Sequence, residues 1–179
     1  MAFNVTEFRA NLIGDGARPN LFQVSLVFPT VANSPVAGQR ISFLAKTAQL
    51  PGSTIGTVPL FYFGRELKFA GNRTFPDWSI TIINDEDFNV RNGFETWMDA
   101  LNSHSLNVRN PAAFNQLLYT TEAKVTQFSK SGLPLKSYKF VGMFPTDLSP
   151  IELDWGSNDS IEEFSVTLAY QFWESDTTS

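Results

Sequence analysis

Apolar and polar positions alternate along much of the chain. Phe22, Val24, Leu26 and Phe28 alternate with Gln23 and Ser25; Trp78, Ile80 and Ile82 with Ser79 and Thr81; Phe164, Val166, Leu168, Tyr170 and Phe172 with Ser165, Thr167, Ala169 and Gln171. A period of two marks strands with one side in a core. The spacing predicts strands over 21–28, 40–47, 57–63, 66–69, 78–82, 117–129, 135–144, 151–155 and 161–173. Breaker clusters separate them: the loops 29–39, 48–56 and 102–116, a turn at Gly64-Arg65, another at 130–132, a bend at 145–150 and a turn at 156–160. Residues 1–20 read as an arm in which Phe3, Phe8, Leu12 and Ile13 form at most a short amphipathic turn. Residues 175–179 read as a loose polar tail, and 21–174 as one domain.

One segment changes period. After the strand 78–82 comes Asn84-Asp85-Glu86-Asp87, where Asn84 or Asp85 is placed to cap a helix and the carboxylates suit its N-terminal dipole. Val90, Phe94, Trp97, Met98 and Leu101 then recur at helical spacing. One helix among many strands is expected to lie against one side of a sheet.

Two strand pairs carry more than core. Leu60, Phe61, Tyr62 and Phe63 stand in a row, so the hairpin around Gly64-Arg65 is apolar on both faces. Such a hairpin is either central in a packed sandwich or projects into a neighbouring subunit. In the ribbon 117–144, Leu117, Tyr119, Ala123 and Val125 share one face, and Thr120, Glu122, Lys124 and Thr126 the other. Across the turn, Tyr138, Phe140 and Phe144 oppose Ser137 and Lys139.

The chain has 179 residues, 42% hydrophobic, which suits one globular domain. Its 17 Phe residues imply more apolar surface than one monomer hides, hence an oligomer. There is no Cys, so no disulfide, thiolate or His/Cys metal site. The N-terminus lacks the basic and apolar regions of a signal peptide, and no run approaches a membrane span, so synthesis in the cytosol without a membrane partner is expected. Net charge is −5. Acids and bases balance up to Val90, whereas from Asp147 onward there are eight acids and no Lys or Arg. An acidic end argues against gripping a phosphate backbone.

Catalytic patterns are weak. His104 is the single histidine and follows the helix, where a surface role is ordinary. No Gly-x-Ser-x-Gly elbow occurs, and Gly14-Asp15-Gly16 lacks the strand and third glycine of a nucleotide loop. Asp154, Asp159, Glu162 and Glu163 bracket a turn, but their spacing is not that of an EF-hand. Asp85, Glu86 and Asp87 are explained by a helix N-terminus more simply than by acid–base chemistry. No cofactor, metal or enzymatic activity is expected.

Several blocks resemble tail tube proteins of contractile-tailed bacteriophages. Residues 17–24 (Ala-Arg-Pro-Asn-Leu-Phe-Gln-Val) are similar to their opening strand, and Thr47-Ala48-Gln49-Leu50-Pro51-Gly52 to their first long turn. Residues 70–78, through Asn84-Asp85-Glu86, resemble their strand-to-helix segment. Leu153-Asp154-Trp155-Gly156-Ser157-Asn158, Phe164-Ser165-Val166-Thr167-Leu168 and Trp173-Glu174 resemble their C-terminal pair of strands. The loop 30–38 and the tail after Glu174 depart from the family pattern.

The resemblance implies a mainly β sandwich or barrel of two antiparallel sheets with one flanking α-helix. Six copies close into a ring whose inner sheets form one barrel, and rings stack on a baseplate inside a contractile sheath. Baseplate, terminator and sheath proteins are the implied partners. The tape measure protein and then DNA occupy the lumen without sequence-specific binding. The implied location is the virion tail, reached by assembly in the host cytoplasm. Thr120, Glu122, Lys124 and Thr126 are assigned to the bore on their polar face. Leu50, Pro51, Phe61, Phe63 and Arg65 are assigned to stacking, with Phe61 and Phe63 as anchors. Because tubes must not form spontaneously, the arm 1–20 and the hairpin are expected to order on docking. The competing expectations are a tailocin or type VI secretion tube, a carbohydrate-binding sandwich with Trp155, Trp173 and Tyr170 as a sugar platform, and a glycoside hydrolase using two of the clustered acids.

Overall fold

The computed structural model describes residues 4–32 and 34–178. In chain order these form α1 (Val5–Asn11), β1 (Phe22–Leu26), α2 (Pro35–Leu44), β2 (Ala45–Ala48), β3 (Thr54–Tyr62), β4 (Arg65–Thr74), β5 (Trp78–Ile83), α3 (Asn89–Leu101), α4 (Gln116–Tyr119), β6 (Thr121–Phe128), β7 (Pro134–Leu148), β8 (Glu163–Ala169) and β9 (Phe172–Ser175). Short 3-10 turns precede α2 and α4.

Two antiparallel sheets share the 15-residue strand β7. Its first part pairs with β6 and β9, giving the order β1-β6-β7-β9; its last part pairs with β8, giving β7-β8-β5-β2. The strand changes sheets at Gly142, which has φ +68°; a Cβ there would meet Gln171 Cγ at 2.8 Å. Glycine relieves both demands and lets the strand bend. After the bend Met143, not Phe144, is buried, so the expected alternation Phe140–Phe144 shifts by one. β3 and β4 form a separate two-stranded sheet.

The core lies between the two sheets. Val24, Leu26, Ala123, Val125 and Phe140 meet Ile80, Ile82, Phe164, Val166 and Leu168, with the Trp78 ring tilted against Phe140 at 4.6 Å. The helix α3 packs on α2 and β7 and buries Val90, Phe94 and Trp97. The Phe94 and Trp97 rings stand 4.9 and 5.8 Å from Phe28, and Trp97 donates its indole N–H to the Tyr119 carbonyl. Phe94 is wholly buried, so Phe94→Ala is expected to lower monomer stability by about 3–5 kcal/mol, read by denaturant unfolding.

Several expectations are corrected. Residues 35–44 form a helix, not a loop and a strand. Pro35 occupies its first turn, and Ala37, Ile41 and Leu44 face the core. A Cβ at Gly38 would come within 2.9 Å of the Leu26 carbonyl, so this helix sits close on the end of β1. Neither Asn84 nor Asp85 caps α3; the preceding residue is Phe88, in left-handed conformation at φ +53°. Residues 116–119 are one helical turn, so β6 starts at Thr121. The bend expected at 145–150 is the continuation of β7 to Leu148, and 151–155 is irregular, not a strand. The strand 161–173 is broken at Tyr170 and Gln171 into β8 and β9. The tail is tied down at its start: Ser175 is buried, and the Asp176 carboxylate accepts the Ser137 amide at 3.1 Å. In the arm, Asn4 caps α1 through the amides of Thr6 and Glu7, which is more order than the weak turn expected; Phe3 lies outside the described residues.

Candidate assembly surfaces

The hairpin projects. Every residue of β3 and all but Gly71 of β4 are exposed. At ~3.4 Å per residue, strands of this length reach roughly 30 Å. An isolated two-stranded sheet is at best marginally stable in water. The register sorts its faces. Val58 opposes Phe69, Leu60 opposes Leu67, and Tyr62 opposes Arg65, and successive residues point to opposite sides. One face is therefore Val58, Leu60, Tyr62, Leu67 and Phe69 with Arg65 at its tip. The other carries Thr57, Pro59, Phe61, Glu66, Lys68 and Ala70. The turn residues are Phe63 and Gly64, one position earlier than expected, both at positive φ (+46° and +79°). That geometry suits a two-residue hairpin but strains Phe63, whose ring is 92% exposed. Of the expected stacking residues, Phe63 and Arg65 are at the tip and Phe61 is on the mixed face. Leu50 is exposed and Pro51 half-buried in the approach to the hairpin, whose Gly52 carbonyl accepts the Trp173 indole N–H. The apolar face itself was missed; pairing each residue with its cross-strand partner would have revealed it.

The second surface is the outward side of β1-β6-β7-β9. Registers align Ser25, Lys124, Lys139 and Glu174 in one row and Gln23, Thr126 and Ser137 in the next. Glu122 joins the face through an ion pair to Lys139 at 2.8 Å. That hydrogen bond raises the Lys139 pKa above its ordinary value. Thr126 and Ser137 share a hydroxyl hydrogen bond at 3.1 Å. Glu122, Lys124 and Thr126 thus stand together as expected, backed by buried Ala123 and Val125. Thr120 does not join the strand; it ends α4, its hydroxyl donating to the Gln116 carbonyl. Sequence reading misses Glu174 and Asp176, because β9 reads as the end of one longer strand over 161–173.

A third surface lies where β5 ends and β8 begins. Arg40 on α2 donates to Asp85 at 2.7 Å and Asp87 at 2.6 Å. Burial pushes the Asp87 carboxyl up, but hydrogen bonds from Arg40 and the Asn89 amide outweigh it and hold the carboxyl below its ordinary value. Lys46 pairs with Glu163, and the Asn84 amide donates to Glu162. These acids are structural links, not a pair of catalytic carboxylates. Among the described residues no group of three His, Asp or Glu side chains could hold a metal ion. His104 is exposed and bonds Asp99, whose carboxyl is lowered chiefly by the His104 amide. The aromatics of the sugar-platform reading do not form one exposed platform: two pack into the protein, and the third stands apart. Trp173 packs on Phe75 and Tyr138, Tyr170 on Phe75 and Phe140, and Trp155 is fully exposed on the 149–162 loop.

The family model described as phage tail tube protein matches residues 17–176. The tail tube protein gp19 of Enterobacteria phage T4 is 34% identical over 169 residues, covering 93% of this chain and 96% of that one. The tail tube protein of Serratia phage KSP90 is 29% identical, covering 93% of each. Among solved structures, a chain of the sheath–tube complex of an extracellular contractile injection system superposes with a TM-score of 0.60 at 14% identity, over 98% of this chain and 99% of that one. A chain of the anti-feeding prophage baseplate gives 0.63 at 15% identity, over 89% and 95%. The two solved structures share the fold.

Proposed function

The chain belongs to the phage tail tube protein family, and we propose that six copies close into a ring lined by β1-β6-β7-β9, and that rings stack through the β3–β4 hairpin into the inner tube of a contractile tail. It is a structural subunit of the virion tail, not an enzyme. Sheath, baseplate and terminator proteins are its neighbours in the tail. The tape measure protein and then the genome occupy the bore, and assembly takes place in the host cytoplasm. Residues 21–174 make the tube domain, while the arm from residue 4 to 20 and the hairpin become fixed in place as copies dock.

One feature of the lining sheet supports ring closure above others. It has four antiparallel strands, with β1 and β9 at its edges. With an even number of alternating strands, β9 of one copy runs antiparallel to β1 of the next. Each junction then continues the ladder, and closure removes the edges that would otherwise aggregate. Because the Phe128 amide donates to the Leu21 carbonyl, odd-numbered β1 positions bond into the sheet, and the amides of Phe22 and Val24 point to the open edge. In the tube these two amides are expected to exchange hydrogen at least about tenfold more slowly than in the monomer. Equal rates in monomer and tube would show that the ring does not close through β1.

A further inference from the structure

Resting on the reading that the hairpin stacks rings, we infer that its receptor on the next copy is the acidic end built from residues 84–88 and 149–163. Position makes this possible. β2 leads into the hairpin and β5 leads out of it, so the hairpin leaves the sheet where β5 begins. Ile83 pairs with Glu163 where β5 ends, so the 149–162 loop sits at the opposite end of the same sheet. A hairpin at one end and its receptor at the other give a head-to-tail contact that repeats along an axis.

Charge selects the pairing. The hairpin holds Arg65, Lys68 and Arg73 against one acid, Glu66. The far end holds Glu152, Asp154, Asp159 and Glu162 on the loop, with Asp85, Glu86 and Asp87 beside it, and its nearby cations Arg40, Lys46 and Arg91 are already paired, Arg91 with Glu95 and the Ser149 carbonyl. Opposed potentials of this kind orient and register two copies.

Apolar groups and unpaired acceptors complete the receptor. Leu153, Trp155 and Ile161 are 80%, 100% and 71% exposed beside a cleft of about 600 Å³ lined by Ile151, Asp154 and Glu162. An exposed Trp among acids is the kind of group that anchors an interface, and the apolar hairpin face offers Leu60 and Leu67 to cover it. In the adjoining notch Asn84, nine-tenths buried, and Asp85 each hold a buried Oδ1 with no hydrogen-bond partner. Such acceptors destabilise until a donor reaches them. Arg65, at the tip of the apolar face, brings a fork of donors.

The absence of cysteine gives a clean test. Full-length Glu66→Cys/Ser157→Cys protein is grown into rods on baseplates and treated with a short bis-maleimide. The expected result is a ladder of covalently joined copies that needs both substitutions and is missing from unassembled protein. Rods of normal length without the ladder overturn the assigned receptor and leave the stacking reading intact; so does joining of Ser157→Cys to a sheath subunit instead. A charge exchange supplies the second measurement. Arg65→Glu/Lys68→Glu and Glu152→Lys/Asp159→Lys are each expected to cut rod mass at least about tenfold, and their combination to restore most of it. A combination as inactive as either parent overturns the receptor. Normal rods from the hairpin pair alone would instead overturn the stacking reading.

Discussion

Leu60→Asp leaves a folded monomer that does not elongate. Leu60 sits in the middle of the exposed hairpin face, opposite Leu67 and outside the core, with more than half of its surface exposed, so the monomer loses no core contact. Its melting curve is expected to match the parent within about 0.5 kcal/mol. In the proposed stack the same carboxylate is carried into an apolar contact without a partner. Truncating one residue at the centre of an interface costs about 2–4 kcal/mol, and burying an unpaired charge costs more. Every ring-to-ring step repeats the defect in each subunit, so the growth equilibrium collapses. Phe61→Asp, on the mixed face beside Glu66, is expected to shorten tubes rather than abolish them. Sedimentation and negative-stain length distributions separate the two. Long tubes from Leu60→Asp would mean that the apolar face is not the stacking contact.

The difference between Leu60 and Phe61 shows where sequence reading stopped. Four apolar residues in a row announce a hairpin that no single face can hide, and the structure places it outside the core. Sequence order does not say which of the four lie on one side, because the cross-strand partners that define a face come from register. Strands 21–28 and 78–82 were legible for the opposite reason: one side of each is buried, so the alternation is written into the residues. The α3 stripe was legible in the same way. Residues 35–44 were not. Ile41 and Phe43 alternate with Arg40 and Ser42 as a strand would, while the helical spacing of Ala37, Ile41 and Leu44 is interrupted by Gly38, which is there because the helix rests on the Leu26 carbonyl. Tertiary contact overrode local pattern. The acids at 85–87 misled similarly: their position before a helix fits a dipole, yet Arg40, 45 residues upstream of Asp85, is what holds Asp85 and Asp87.

In the proposed ring the polar side of β1-β6-β7-β9 faces the bore and sets what it does to DNA. Its charged groups are Glu122, Glu174 and Asp176 against Lys124 and Lys139, close to balance. A polyanion passing such a wall finds no run of cations to neutralise its phosphates. Glu122→Lys/Glu174→Lys leaves one acid against four bases and places two ammonium groups where the Lys139 ion pair stood. The wall then binds DNA by releasing condensed counterions, an affinity that multiplies with each contacting phosphate and falls steeply with salt. Virions with mutant tubes are expected to attach and contract normally but to eject DNA at least about tenfold more slowly at low salt, with the defect shrinking as ionic strength rises. Glu122→Gln/Glu174→Gln removes the acids without building a cationic track, and its ejection is expected to stay within about threefold of the parent. Salt rescue distinguishes a sticky bore from a malformed one, since a narrowed or misassembled tube would stay slow at every ionic strength. Parental ejection rates from fully assembled Glu122→Lys/Glu174→Lys tubes would place this face away from the lumen.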